Sequence, residues 1–380
     1  MYRPIRLLTI IGARPQIIKA AALHRAIGEG SKDHLEEIVL HTGQHYDAGM
    51  SGDFFTELGL PGPAIQLNVG SAPHAVQTAQ MLEGIEKAIT EVRPDVVVVY
   101  GDTNSTLAGS IAAAKMHVPV AHIEAGLRSF NKGMPEEINR ILTDHCSTWL
   151  FCPTATAVKN LQREGIDQMV IGKVTIDRPG VVLSGDVMLD NALHFARQAE
   201  KKSTMIDELG LKGRDLMLAT IHRAANTDDP RRLAAIFEAL GTVAVEYGME
   251  IVLPLHPRTK GRLKGSVASA LLEKIRLIPP VGFLDMIALQ RNARLVLTDS
   301  GGVQKEAYFF GVPCVILREE TEWTEIVEAG MAITAGADPQ KIVEAAAKLI
   351  GKDPSGSQQL FGDGRAAQRI CNELISSCRA

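Results

Sequence analysis

Short apolar runs rich in β-branched residues recur along this chain at spacings that leave room for one helix each time. They fall at 6–11, 37–41, 95–100, 118–123 and 181–183, and again at 216–221, 250–255, 276–279, 295–298 and 313–317, with helix-length segments at 17–27, 105–115, 230–246 and 302–310 between them. Strands joined through helices run parallel and cross over right-handedly, so the pattern predicts α/β units rather than hairpins or a helical bundle. At 380 residues the chain exceeds what one ordinary core holds. Two Rossmann-like domains with parallel sheets facing a cleft are therefore expected, over 1–190 and 205–365, with a final helix at 366–380 packing back across them. The stretch 186–214 is charged, helical in pattern and poor in strand signal, which makes it the expected hinge.

Charge narrows the partners. A net charge of -4, from 40 basic and 44 acidic residues, supplies no general polycation for nucleic acid or an anionic membrane, so any phosphate binding has to be local. No window approaches 18 uninterrupted apolar residues, and the N-terminal apolar run already reads as a strand. Five cysteines (Cys146, Cys152, Cys314, Cys371 and Cys378) form no Cys-x-x-Cys pair, as expected of reduced thiols in a cytoplasmic protein.

The residues that can carry chemistry follow strand ends or open helices. An apolar run ends in Ser300-Gly301-Gly302 and passes into a helical pattern, presenting backbone N–H groups and a helix dipole to an anion, while Glu306, one turn on, can accept from ribose hydroxyls. The turn at Gly12 brings Arg14 and Lys19 to the carboxyl edge of the first sheet, where ligands of open α/β folds sit. Asp102 and Glu124 each follow a strand, and Glu136 opens a helix with Arg140 four residues on as its partner, so three acids collect at one edge as an acid/base constellation. In the second half, His222 follows the first strand and is suited to a phosphate or a proton, His256 and Arg258 follow the next, and Arg318 follows a later one. His41 and His45 end a strand without sharing a helical face and with no nearby cysteine, so no metal is expected. Neither a Rossmann dinucleotide fingerprint nor a P-loop is present.

Together these segments resemble the non-hydrolysing UDP-N-acetylglucosamine 2-epimerase family: G-x-R-P-x-x-I-K at 12–19, G-D-T at 101–103, E-A-G-L-R at 124–128, P-E-E-x-N-R at 135–140, H-R at 222–223 and T-D-S-G-G-x-Q-x-E at 298–306. The resemblance implies the glycosyltransferase-B fold, a homodimer, and interconversion of the C2 epimers of a UDP-sugar with no cofactor. It implies that Arg14, Lys19, His222, Ser300, Gly301, Gly302, Glu306 and Arg318 hold UDP, that the backbone of Met286 meets the uracil, and that Asp102, Glu124, Glu136 and Arg140 serve the chemistry, with His222 beside them. Segments at 44–50, 129–135, 220–227 and 321–325 are similar to the subgroup that includes UDP-2,3-diacetamido-2,3-dideoxyglucuronate 2-epimerases of surface-polysaccharide synthesis. A uronate needs a cation near C6, which Lys132 or Arg128 would supply. A glycosyltransferase of the same fold, a hydrolysing epimerase and a non-catalytic UDP-sugar-binding regulator are the alternatives.

Overall fold

The structure is a computed structural model that describes residues 3–44, 55–167, 173–255, 257–263, 273, 275–352 and 360–379. It divides into two compact units, Met1–Asn191 with Gln359–Ala380, and Ala192–Gln358. Unit one holds a seven-stranded parallel sheet in the order β3-β2-β1-β4-β5-β6-β7. Its strands are β1 (Ile5–Ile11), β2 (Leu35–His41), β3 (Ile65–Gln66), β4 (Val96–Tyr100), β5 (Val120–Ile123), β6 (Trp149–Cys152) and β7 (Gly180–Leu183). Unit two holds a six-stranded parallel sheet, β10-β9-β8-β11-β12-β13, built from β8 (Leu216–Thr220), β9 (Glu250–Pro254), β10 (Ile275–Ile278), β11 (Ala293–Thr298), β12 (Cys314–Ile316) and β13 (Ala332–Thr334). The two sheets share one topology. In each, the chain runs outward for three strands, returns beside the first, and continues the other way. Each sheet therefore has a switch point, between β1 and β4 and between β8 and β11, where loops diverge and leave a crevice.

The sequence patterns explain the burial. Val96, Val97, Val98 and Val99 are wholly buried because helices cover both faces of a parallel sheet. Each contributes roughly 1.5–3 kcal/mol relative to an exposed valine. The helices His74–Val92 and Asn104–Lys115 cover one face, where Met81, Ile85, Ala108 and Ala112 meet Leu8, Ile10, Val97 and Val99. In unit two, the helices Pro230–Tyr247 and Pro339–Leu349 press Leu233, Phe237, Ile342 and Ala346 onto Met217, Leu253, Leu295 and Val315.

Three strands escape the hydrophobic pattern: β3, β6 and β13, of two, four and three residues. β3 is only two residues long, β6 (Trp149-Leu-Phe-Cys152) has no β-branched residue, and β13 has two, so pairing with the neighbouring strand defines them. The boundary between units falls inside the helix Val187–Lys202, after Asn191. The C-terminal helix Ala366–Arg379 belongs to unit one, where the Asp190 carboxylate accepts from the amides of Ala366 (3.1 Å) and Ala367 (2.8 Å) and thus caps it from outside.

Candidate active site

At the carboxyl end of β1 the chain turns at Gly12 into the helix Arg14–Ala26. Ala13 offers this helix start no side-chain cap, so Gln16 does the work. Its Oε1 accepts from the amides of Gly12 (2.9 Å) and Ala13 (3.1 Å), and its Nε2 donates to Tyr100 O and Thr106 Oγ1 (both 3.0 Å). One buried side chain thereby ties the β1 turn to the β4 turn across the switch point. Lys19, a turn further on, pairs with the Glu124 carboxylate. Arg14 is exposed.

Asp102 follows β4 and Glu124 follows β5, and the pairing of Tyr100 with Ile123 sets the two acids at neighbouring strand ends. Arg140 donates to the Asp102 carboxylate, and Asn139 Nδ2 donates to Asp102 O at 2.9 Å. Although about a third of its side chain is open (32%), burial pushes the Asp102 carboxyl above its ordinary value, and Arg140 only partly draws it back. Glu124 adopts φ 76°, a left-handed conformation that a side-chain-bearing residue takes at a cost of roughly 1–3 kcal/mol. Strain of this kind concentrates where a side chain has to be aimed.

Two expectations need correction. Arg140 pairs with Glu137 (2.6 Å), not Glu136: the guanidinium turns inward toward Asp102, where it meets the buried Glu137, while Glu136 faces solvent. Burial works to raise the Glu137 carboxyl, but the amides of Ser129 and Phe130 (both 2.9 Å) and the Arg140 charge outweigh it and hold it below the usual range. Arg128 is not available for a C6 carboxylate. Its side chain is buried between Asp144 and Glu164, each at 2.7 Å, whereas Lys132 is exposed.

In unit two the switch point lies between β8 and β11, which end level with one another at Thr220 and Thr298. Asp299 is fully buried and organises the crevice: its carboxylate accepts from the amides of His222 and Arg223 and from Asn226 Nδ2, all at 3.1 Å, and lies 3.2 Å from His222 Nδ1. The His222 side chain remains 41% exposed. Ser300 precedes the helix Gly301–Phe309 and its side chain makes no cap hydrogen bond, so the helix start takes no partner from it and turns its dipole to whatever lies there. Arg318 stands beside this seat and donates to Glu322 Oε2 at 3.0 Å. A Cβ on Gly301 would fall 2.4 Å from Glu322 Oε1, so the chain's own carboxylate lies against the helix start. Glu306 accepts from Gln290 Nε2 at 2.7 Å, and the Met286 amide donates to Gly282 O at 3.0 Å in the first turn of the helix Phe283–Asn292.

Sequence reasoning overlooked Gln16, Glu137, Asp299 and Glu322. Asp299 and Glu137 left a trace, inside the T-D-S-G-G and P-E-E-x-N-R motifs; Gln16 and Glu322 are recognisable only once their partners are in place. His41 is buried and accepts from the Gly43 amide at Nδ1 (3.1 Å). His45 and His256 lie outside the described residues, as does the side chain of Arg258. Among the described residues no group of three or more His, Cys, Asp or Glu could hold a metal ion, and no helix is long and apolar enough to cross a membrane.

A family profile described as UDP-N-acetylglucosamine 2-epimerase matches residues 29–375. A UDP-2,3-diacetamido-2,3-dideoxy-D-glucuronate 2-epimerase of Pseudomonas aeruginosa is 50% identical over 371 residues, covering 97% of this chain and 99% of that protein. A UDP-N-acetylglucosamine 2-epimerase of Methanocaldococcus jannaschii is 42% identical over 381 residues, covering 97% and 99%. The crystal structure of an enzyme of that organism, a UDP-GlcNAc 2-epimerase in complex with UDP-GlcNAc and UDP, superposes with a TM-score of 0.82 at 40% identity, covering 99% of this chain and 100% of that one.

Proposed function

The chain belongs to the UDP-N-acetylglucosamine 2-epimerase family, a family of isomerases, and from that premise we propose that it interconverts the C2 epimers of a UDP-N-acetylhexosamine by elimination and re-addition of UDP. The C2 proton of such a sugar has no adjacent carbonyl to acidify it, so removing it alone would leave an unsupported carbanion. Taking it as UDP leaves C1 avoids that charge and gives a glycal-like intermediate. UDP then returns to C1 while a proton arrives at C2 from the opposite face. The sequence is redox-neutral and draws on no cofactor.

The observation that carries this reading is the pair of carboxylates at neighbouring strand ends, Asp102 against Arg140 and Glu124 against Lys19. Two faces need two proton-handling groups. The carboxyl pushed upward, Asp102, is suited to deliver a proton, and Glu124 to take one, with the roles exchanged in the reverse direction. Glu136 is the third acid within the proposal. Negative charge grows on the departing diphosphate, which Ser300, Gly301, Gly302, His222 and Arg318 would stabilise together with Arg14 and Lys19. Glu306 would take the ribose and the backbone at Met286 the uracil.

The substrate proposed is a UDP-2,3-diacetamido uronate destined for surface polysaccharide. Its support is the half-identical relative and the exposed Lys132 as a cation for the C6 carboxylate. A cytoplasmic homodimer completes the proposal; the five free cysteines suit a reducing compartment. Incubation with candidate UDP-sugars in deuterated water, followed by NMR, tests the chemistry: deuterium should enter C2 of both epimers. Turnover that leaves C2 protium in place refutes it, and a preference for plain UDP-N-acetylglucosamine over the uronate refutes the specialised substrate.

A further inference from the structure

His122 and Asp144 are wholly buried directly beneath the acidic turns of unit one. His122 lies on β5, two residues before Glu124. Its Nε2 donates to Gly101 O at 2.8 Å, the carbonyl immediately before Asp102, and its Nδ1 donates to Asp144 Oδ1 at 2.7 Å. The second Asp144 oxygen accepts from the amide of Gly126, two residues after Glu124, at 3.1 Å, and from Arg128 at 2.7 Å. Gly101 O can only accept. The Asp144 carboxylate, taking N–H donors from three residues, is ionised: burial works to raise it, but the His122 hydrogen bond and the Arg128 charge hold it below the usual range. Both ring nitrogens therefore carry a hydrogen in this arrangement.

Each contact falls where the backbone most needs holding. Gly101, Glu124 and Gly126 all occupy the left-handed region, with φ 62°, 76° and 77°. Asp144 sits near the end of the helix Pro135–His145, which also carries Glu137 and Arg140. One pair thus links the β4 turn, the β5 turn and the helix whose arginine reaches Asp102. Stability alone does not account for it, since apolar side chains of similar volume commonly replace buried ion pairs at no loss.

We propose that His122 and Asp144 form a strut of positioning residues that sets the mutual geometry of Asp102 and Glu124. This inference rests on the functional reading above. Two substitutions each keep half of the strut. His122→Asn retains a donor toward Asp144 but none that reaches Gly101 O; His122→Gln retains a donor at the Nε2 position and loses the Asp144 contact. Each should lower kcat by roughly 10- to 100-fold while KM and the UDP dissociation constant move by less than about threefold. By NMR hydrogen exchange, the amides of Gly101, Glu124 and Gly126 should exchange at least about tenfold faster, with the amides of β8 to β13 unchanged. Wild-type kcat in either variant overturns the strut. So does a fall in kcat matched by exchange that rises uniformly through unit one, which marks a merely structural pair. Should the wild-type chain epimerise no UDP-sugar, the functional reading falls, and exchange localised or not localised to the two turns still decides the strut.

Discussion

Gly126→Ala separates the cost of a backbone conformation from the cost of a close approach. Gly126 sits at φ 77°, where an alanine loses roughly 1–2 kcal/mol. A Cβ there would also lie 2.4 Å from the Ala157 carbonyl oxygen, which is backbone of the helix Ala155–Arg163 and cannot rotate away. Overpacking against a fixed group adds roughly 1–3 kcal/mol, for a total of about 2–5 kcal/mol. Gly165 is the control: its φ of 82° is equally left-handed, yet nothing lies within 4 Å of its Cβ position. Gly165→Ala should lose only the conformational part, about 1–2 kcal/mol. At about 2–4 °C per kcal/mol for a unit of this size, melting should fall by roughly 4–20 °C for Gly126→Ala and 2–8 °C for the control. Because Gly126 also donates to Asp144 and accepts from Asn160 at 3.1 Å each, its displacement should reach Glu124 and reduce kcat, whereas the control should not. Scanning calorimetry with initial rates measures both. Equal losses in melting temperature would refute the close-approach argument, and an unchanged kcat in a destabilised Gly126→Ala would refute the link to Glu124.

Asp102→Asn and Glu124→Gln should each lower turnover by about 10²-fold or more while UDP binding by calorimetry changes little; a parallel loss of UDP affinity would reassign them to binding. Glu322→Gln should tighten UDP binding and make it fall more steeply with added salt, because losing the carboxylate that now lies against the helix start at Gly301 and holds Arg318 leaves a more positive site for the diphosphate; weaker binding would make Glu322 a ligand contact instead. Burial raises the Asp190 carboxyl to about 6, so the folded chain holds that proton more tightly than the unfolded one, and the associated stability is complete below the ordinary carboxylate range and lost as pH rises through 6. Asp190→Asn should therefore remove a fall in melting temperature between pH 5 and 7 that the native chain shows, and identical pH profiles would count against it.

The sequence by itself determined the two parallel α/β units and the sheet edge at which these side chains gather. Periodicity states which segments are strands and helices, and parallel strands joined by helices have to place their loops at the carboxyl ends, so Gly12, Asp102, Glu124, His222 and Ser300 were legible without coordinates. It did not reveal β6, whose Trp149-Leu-Phe-Cys152 has no β-branched residue, or the three-residue β13; both are defined by pairing with β5 and β12. Nor did it reveal which charge meets which. Spacing along a helix offered Glu136 to Arg140, but the direction in which a buried guanidinium turns depends on Asp102, which lies 38 residues earlier in the chain. The same holds for Arg128, consumed by Asp144 and Glu164, and for Glu322 at the helix start of Gly301. Local order follows from propensity and pattern; the pairing of buried charges depends on three-dimensional neighbours, because a charge taken out of water has to find its partner wherever the fold puts one.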